Sequence, residues 1–274
     1  MASVRTRFLT SALILSLVVY PALFAQELSQ VRPEEVGLSS ERLQRLSQVL
    51  QGYVNDNKLP GIVALVARRG KVAYLKSLGQ RDRELGSSMQ EDAIFRIASQ
   101  TKAIVSVGVM ILQEEGRLLI SDPLGKYLPE FLETSVAVPQ NEGYKVVEAQ
   151  RPVTVRHLLT HTAGISYGEG VARDRWEKAG IQGWYFAHRD EPIGATVSRI
   201  ASLPFDAQPG ERWIYGYSTD ILGALIERVS GLTLDKFLHS RILEPLGMKD
   251  THFYLPSSKK NRLAAVYSAR TGGG

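Results

Sequence analysis

The stretch RIASQTKAIVSVGVMILQEEG, residues 96–116, places a serine and a lysine three positions apart at the start of a long apolar run. Residues three apart share one face of a helix, so Ser99 and Lys102 are expected to touch. Gly116 stands where such a helix would end. The pattern predicts a buried helix from about Ser99 to Glu115, with a reactive pair of side chains at its N-terminal end.

This pair has a clear chemical use. A serine hydroxyl is a poor nucleophile until a base removes its proton, and a lysine serves as that base only as the neutral amine. Apolar neighbours such as Ile94, Phe95 and Ile104 are expected to lower the pKa of Lys102 by desolvation. The helix N-terminus would stabilise negative charge on Ser99. The stretch therefore indicates a lysine-assisted serine nucleophile, and an unreactive buried polar pair is the alternative.

Two other serines compete for this role. Ser257 and Lys260 have the same spacing, but their stretch is polar and follows a proline, which indicates a solvated loop. Ser166 lies in GISYG, a match to the G-x-S-x-G nucleophile elbow of α/β-hydrolases. That motif needs a buried strand before it and a helix directly after it, and neither flank fits. A tight turn is favoured, and an α/β-hydrolase using Ser166 stays an alternative.

Composition limits the function further. The 274 residues suit one large domain or two small lobes. The formal charge is +5, and it is about +3 without Arg5 and Arg7. This positive charge is too weak and too scattered to indicate a nucleic-acid partner. The absence of cysteine excludes disulfides, thiolate metal sites and cysteine nucleophiles. We expect neither a metal nor a cofactor.

The first 25 residues follow the pattern of a secretory signal. Two arginines precede an apolar run, residues 8–24, and the small Ala25 stands at a plausible cleavage point. The run is short for a membrane span and Pro21 interrupts it. We predict a signal peptide over residues 1–25, cleavage, and a periplasmic or extracellular protein without a stable membrane span. A retained anchor is the alternative.

The remaining periodicities predict one helix, one hairpin and then several helices. A 3.6-residue spacing of apolar positions follows Ser40, two β-prone runs flank a turn containing Gly70, and the chain is helical and loop-rich from Asp122 onward. This order excludes a βαβ repeat and favours an α+β fold, with one lobe over about 30–90 and a mainly helical lobe over about 99–250. The predicted elements are a hairpin over 61–67 and 72–78 and helices over 155–160, 221–229 and 234–243.

Four motifs occur in order along the chain: FRIASQTK, RPVTVRHLLTHTAG, WIYGYSTDILG and EPLGMKDTHF. Together they resemble the class C β-lactamase-related serine hydrolases, which include family VIII carboxylesterases and penicillin-binding-protein-like peptidases. The resemblance runs from about residue 30 to the end. It implies a β-lactamase/transpeptidase-like α+β fold with an antiparallel sheet lobe. It also implies an acyl-enzyme on Ser99, Lys102 as its base partner, and Tyr215 as the proton donor to the leaving group, with Tyr217 as the alternative.

The departures from the family pattern bear on the substrate. Tyr217 stands where β-lactamases have an asparagine that helps to hold the lactam side chain, so small esters, amides or peptides are expected rather than β-lactams. Tyr217 and Trp184 are candidates for substrate binding, because aromatic side chains often line pockets. His161, in LLTHTAG, is expected to be structural.

The family's third motif, K-T-G or H-x-G, supplies one amide of the oxyanion hole, and the Ser99 N–H supplies the other. Arg270-Thr271-Gly272 comes too early in the chain to be that motif. We therefore expect residues 26–274 to be a C-terminally incomplete domain that is inactive on its own. The alternative to an enzyme is a non-catalytic, penicillin-binding-like module that binds a peptide or cell-wall fragment. The sequence does not predict an oligomeric state.

Overall fold

A computed structural model describes residues 28–187 and 189–268. The predicted signal peptide and Arg270-Thr271-Gly272 lie outside these residues. The helices are α1 (Ser40–Asn55), α2 (Thr101–Glu114), α3 (Val155–Leu159), α4 (Arg173–Ala179), α5 (Ile193–Ala201), α6 (Ser218–Ser230) and α7 (Leu234–Leu238). The strands are β1 (Gly61–Arg68), β2 (Lys71–Asp82), β3 (Ser87–Ser88), β4 (Ser135–Pro139) and β5 (Tyr144–Glu148). Short 3-10 helices cover Pro33–Val36, Ala98–Gln100, Leu124–Lys126, Pro129–Phe131, Tyr185–Ala187 and Ser257–Arg262, and a π-helical turn covers His239–Leu243.

The first lobe is an antiparallel sheet in the order β1-β2-β3, with α1 against it. Arg69 and Gly70 connect β1 to β2 with φ of 56° and 69°. Positive φ at both central residues suits a two-residue turn whose twist matches the strands. Ser47 of α1 and Tyr74 of β2 share a hydrogen bond of 2.9 Å. The predicted helix and hairpin are both confirmed.

The second lobe is built around α2 and α6. Val109 and Leu112 of α2 are fully buried. A Cβ on Gly108 would lie 3.1 Å from Ile226 of α6 and from Leu238 of α7, so the missing side chain lets these helices approach closely. This contact fixes α2 beside α6, which sets the position of the residues that precede each helix. The long buried helix predicted from the sequence is thus confirmed, with its first turn tightened to 3-10 geometry.

The second lobe also contains strands that the sequence analysis missed. The hairpin β4–β5 pairs Ser135 with Glu148. On its other side β4 exchanges hydrogen bonds with Phe205, because the Phe205 N–H donates to the Ser135 carbonyl and the Ala137 N–H to the Phe205 carbonyl, each at 2.8 Å. The alternation in SVAVP is only five residues long and ends in a proline, so it gave a weak signal beside its helical neighbours.

The later elements follow the prediction with shifted boundaries. The helix expected over 221–229 begins at Ser218, and the one expected over 234–243 divides into α7 and a π-helical turn. Helices α4 and α5 were not predicted. Ser257–Arg262 is a 3-10 helix rather than a loop, although Ser257 and Lys260 are exposed, as a solvated stretch requires. Across the described ranges, no helix has the length and apolar character needed to cross a membrane.

Candidate active site

Ser99 lies in the 3-10 turn that leads into α2, with its side chain exposed. The preceding residue, Ala98, has a φ of 42°. A left-handed conformation costs a non-glycine residue about 1–2 kcal/mol, so the surrounding contacts must impose it. The N–H groups in the first turn of a helix have no partner within the helix and carry partial positive charge. Ser99 is therefore placed where negative charge on its oxygen is stabilised.

The structure brings Ser99, Lys102 and Tyr215 together. The Tyr215 hydroxyl donates a hydrogen bond of 2.7 Å to Ser99 Oγ. The Lys102 ammonium donates to the same oxygen at 3.3 Å. Lys102 Nζ also lies 4.7 Å from the centroid of the Tyr215 ring. The three residues predicted to be catalytic thus form one connected group on the surface.

The backbone around Tyr215 explains how a residue 116 positions after Ser99 reaches it. The Ile214 N–H donates to the carbonyl of His161 at 2.8 Å. A Cβ on Gly216 would lie 2.3 Å from the carbonyl oxygen of Ile165, so only glycine fits against that turn. The segment before α6 is therefore fixed on both sides of Tyr215.

Aromatic side chains surround Tyr215. Its ring centroid lies 4.9 Å from that of His161 and 5.7 Å from those of Trp213 and Tyr167. The Trp213 ring is nearly parallel to Tyr215, at 22°, and Tyr167 meets it edge-on, at 80°. The sequence analysis did not identify Trp213 or Tyr167. The spacing of Trp213, two residues before Tyr215, was the available signal.

His161 has the structural position that was expected, and it also contacts the site. Its φ is 54°, and its Nδ1 is buried without a hydrogen-bond partner among the described residues. Burial, and then the nearby charge of Lys102, lower the pKa of His161. The imidazole is therefore neutral at pH 7 and supports the Tyr215 ring by packing.

The charge state of Lys102 differs from the sequence-based expectation. Partial burial alone would lower the pKa of Lys102, but hydrogen bonding to Tyr215 and the charges of Tyr167 and Tyr215 outweigh it, and the pKa is raised. Phe95, one of the apolar neighbours expected to desolvate the amine, is more than 40% exposed, and so is Ile97. The prediction of a neutral lysine was wrong in direction, and Lys102 is an ammonium at pH 7.

Tyr215 has the opposite shift. Hydrogen bonding to Lys102, and then to Ser99, lowers the pKa of Tyr215 from its ordinary value of 10.0. A phenolate beside an ammonium can accept a proton from a serine hydroxyl. The structure therefore favours Tyr215 as the proton acceptor and Lys102 as the cation that makes it acidic.

A carboxylate on α6 completes the electrostatics of the site. Asp220 is half-buried in the first turn of α6. Burial raises the pKa of Asp220 to about 6, although the charge of Lys102 acts in the opposite direction. Asp220 is therefore mostly an anion at pH 7 and adds negative charge near the ammonium. Sequence reasoning did not identify it.

The substrate-binding role predicted for Tyr217 does not fit its position. Its side chain is only 1% exposed, and its ring stacks on Trp176 with centroids 6.1 Å apart. Its hydroxyl donates to the carbonyl of Gly183 at 3.0 Å. Tyr217 turns into the start of α6, with φ of −73° and ψ of 8°, so its side chain points into the core while Tyr215 stays at the surface. The same burial raises the pKa of Tyr217.

Trp184 is 70% exposed. It follows Gly183, whose N–H donates to the carbonyl of Tyr167 at 3.0 Å. The loop of Trp184 is therefore attached to the aromatic group around Tyr215, although the described contacts do not join Trp184 to Ser99. Its role in substrate binding stays a prediction.

The surroundings of Ser166 are those of a turn. Its Oγ accepts a hydrogen bond from the Gly168 N–H at 3.1 Å. Helix α3 precedes it, and the next helix begins only at Arg173, whereas the nucleophile elbow needs a strand before the serine and a helix directly after it. Ser166 thus lacks the structural context of a nucleophile. Within residues 28–187 and 189–268, no group of three or more His, Asp or Glu side chains is arranged to hold a metal ion.

Comparison with known proteins places this geometry in a family. The family model described as beta-lactamase matches residues 46–274. Esterase EstB of Burkholderia gladioli is 36% identical over 228 residues, which cover 81% of this chain and 54% of EstB. Lovastatin esterase of Penicillium rubens is 29% identical over 76% of this chain and 52% of its own length.

A solved structure gives the same result for the fold. EstCE1, described as a hydrolase with promiscuous acyltransferase activity, has a TM-score of 0.72 and 27% identity, over 84% of this chain and 57% of that one. The chain spans about half the length of the relatives it matches. The fold is the β-lactamase/transpeptidase-like α+β fold that the motifs implied. With Ser99, Lys102 and Tyr215 joined at the entrance to α2, the chain belongs to the β-lactamase family.

Proposed function

We propose that this protein is a serine hydrolase that cleaves small carboxylic esters through an acyl-enzyme on Ser99. The observation that carries the proposal is the pair of hydrogen bonds that reach Ser99 Oγ, from Tyr215 at 2.7 Å and from Lys102 at 3.3 Å. A nucleophile within hydrogen-bond reach of a base that a third group orients is the arrangement used in covalent catalysis.

In the acylation step Tyr215, as phenolate, accepts the proton of Ser99 while Oγ attacks the ester carbonyl carbon. The bond to the alcohol oxygen then breaks, and Tyr215 returns the proton to that oxygen, so the alcohol leaves neutral. Lys102 stays an ammonium and stabilises the phenolate. In the second step water takes the place of the alcohol and releases the acid, which restores the free serine.

The substrate class is proposed on two grounds. EstB and lovastatin esterase, by their names, act on esters. Tyr217, which stands at the asparagine position of β-lactamases, is buried with its hydroxyl bonded to Gly183, so it presents no amide to a lactam side chain. Both observations favour a small ester over a β-lactam or a peptide.

We expect a nitrophenyl butyrate ester to be hydrolysed at least about 100-fold more efficiently than the cephalosporin nitrocefin. A site that lacks a hydrogen-bonding partner for a substrate group commonly loses this much or more. The measurement is kcat/KM for both compounds with the enzyme expressed from its whole coding sequence. Comparable values for the two compounds would contradict the assignment of ester as the substrate class.

Labelling with a fluorophosphonate separates the proposed enzyme from its alternatives. The probe modifies activated serines, and the modified peptide is then identified by mass spectrometry. We expect the label on the peptide that contains Ser99. Label on Ser166 would indicate an α/β-hydrolase mechanism instead, and a protein that binds peptide or cell-wall fragments but takes no label would be a non-catalytic binding module.

The proposed location is outside the cytoplasm. It rests on the signal-like pattern of residues 1–25 alone. The test is the N-terminal sequence of the protein recovered from its natural host, with a mature terminus near Gln26 as the expected result. A protein that keeps residues 1–25 and stays with the membrane would favour the anchor.

A further inference from the structure

Trp213 is a large apolar side chain held in the open beside the catalytic group. It is 65% exposed, yet its ring lies nearly parallel to that of Tyr215, with centroids 5.7 Å apart and an interplanar angle of 22°. It also lies 6.2 Å from the His161 ring. An exposed indole beside the reacting groups is well suited to bind an apolar ligand.

The position of Trp213 is fixed by its backbone neighbours. The next residue, Ile214, bonds to the carbonyl of His161, and Gly216 lies so close to the Ile165 turn that no side chain fits there. The backbone that carries the indole is therefore held in place, which limits the entropy that this segment loses when a ligand binds.

The chemistry of the site decides which part of an ester would meet Trp213. Tyr215 must return its proton to the oxygen of the departing alcohol, so that oxygen lies within hydrogen-bond reach of the Tyr215 hydroxyl. Any substituent on the alcohol then extends among the neighbours of Tyr215. The acyl group stays bonded to Ser99, and the proton transfer does not require it to lie near Tyr215.

We propose that Trp213 is a specificity-determining residue that binds the alcohol portion of the ester and favours flat, aromatic alcohols. The inference rests on the proposed function and deepens it. In the step concerned, Ser99 Oγ forms the new acyl bond, the bond to the alcohol oxygen breaks, and the aromatic alcohol leaves with the proton from Tyr215. An added alcohol that attacks the acyl-enzyme passes through the same position in reverse.

The test uses esters that share an acyl group and differ in the alcohol. Benzyl butyrate and ethyl butyrate both release primary alcohols of similar acidity, so the comparison reports binding rather than leaving-group acidity. We expect Trp213→Ala to lower the ratio of kcat/KM for benzyl over ethyl butyrate about 3- to 10-fold, the usual effect of one aromatic stacking partner. Trp213→Phe should keep most of the ratio. Tyr254→Ala removes another exposed aromatic ring and should leave the ratio unchanged.

Two further measurements make the assignment specific to the alcohol. Benzyl acetate and benzyl hexanoate should show the same loss in Trp213→Ala as benzyl butyrate, because only the acyl group changes. With the acyl-enzyme formed, Trp213→Ala should also transfer less acyl group to added benzyl alcohol, relative to ethanol, than the unsubstituted enzyme does.

An equal loss for benzyl and ethyl butyrate, or a loss that follows the acyl chain, would overturn the role of Trp213 while leaving the proposed function intact. Absence of ester hydrolysis and of fluorophosphonate labelling in the unsubstituted enzyme would overturn the proposed function, and the role of Trp213 with it. If Trp213→Ala does not fold, the more conservative variants Trp213→Phe and Trp213→Leu are compared instead. Only phenylalanine keeps an aromatic face, so only Trp213→Leu should lower the ratio of benzyl over ethyl butyrate.

Discussion

Replacing Ser99 with alanine should lower kcat for nitrophenyl butyrate by a factor on the order of 10⁵ or more, as the loss of a nucleophile does in other serine hydrolases. Ser99 Oγ receives the hydrogen bonds of both Tyr215 and Lys102, and no other serine oxygen at this site does so among the described residues. Circular dichroism and thermal melting would establish that the variant is folded.

Ser166→Ala is the matched control. Among the described residues its hydroxyl accepts one hydrogen bond, from the Gly168 N–H within a turn. Its loss should therefore cost about 1 kcal/mol of stability and change kcat less than about twofold. Equal losses of activity in the two variants would mean that Ser99 is not the nucleophile. An unchanged rate in Ser99→Ala would have the same meaning.

Replacing Tyr215 and Lys102 one at a time should distinguish the role of Tyr215 as proton acceptor from the role of the Lys102 charge, which lowers the pKa of Tyr215. Tyr215→Phe removes the hydroxyl and should lower kcat/KM by about 10²- to 10⁴-fold, the range of general acid–base catalysis. In the unsubstituted enzyme kcat/KM should rise with pH as Tyr215 becomes a phenolate. Because its pKa is lowered, that rise should be centred below pH 10.

Lys102→Met removes the main cause of that lowered pKa. The pKa of Tyr215 should then return toward 10, so the rise of kcat/KM should move to higher pH. Lys102→Arg keeps the positive charge. In this variant kcat/KM should rise at nearly the same pH as in the unsubstituted enzyme, although the rate itself falls. If lysine were instead the neutral base expected from the sequence, Lys102→Arg would be nearly inactive at every pH, because a guanidinium does not give up its proton.

A separate step in the profile near pH 6 would belong to Asp220, whose pKa is raised to about that value. Below it Asp220 is neutral, and the negative charge near Lys102 is lost. Asp220→Asn should remove this step without moving the one assigned to Tyr215.

For Lys102→Met, a dependence of kcat/KM on pH that is the same as in the unsubstituted enzyme would contradict the coupling of Lys102 to Tyr215.

The predictions that the structure confirms by contact or by element depend mainly on short-range geometry. Ser99 and Lys102 share a helix face because of their spacing, and α2 and the first hairpin follow from periodicity and from the turn at Gly70. The pairing of Tyr215 with Ser99 was predicted from the order of the four motifs, because no residue near Tyr215 in the sequence indicates Ser99 as its partner. These predictions needed only local rules or a family pattern.

The parts that the sequence did not predict depend on contacts between distant segments. The direction of the Lys102 pKa shift depends on Tyr167 and Tyr215, which come from two different segments of the chain. Tyr217 was expected to bind substrate, but the turn into α6 sends its side chain into the core. Strand β4 was missed because its pairing with Phe205 is long-range.

The distance in sequence between Ser99 and Tyr215 also governs when the protein becomes reactive. Their hydrogen bond closes a loop of 116 residues. Ribosomes add about 5–20 residues per second, so a growing chain carries Ser99 for roughly 6–23 s before Tyr215 exists. During that time, and in any unfolded state, the serine is an ordinary alcohol. We therefore expect the proposed ester hydrolysis to appear late in folding, and its appearance during refolding would report the closing of this long-range contact directly.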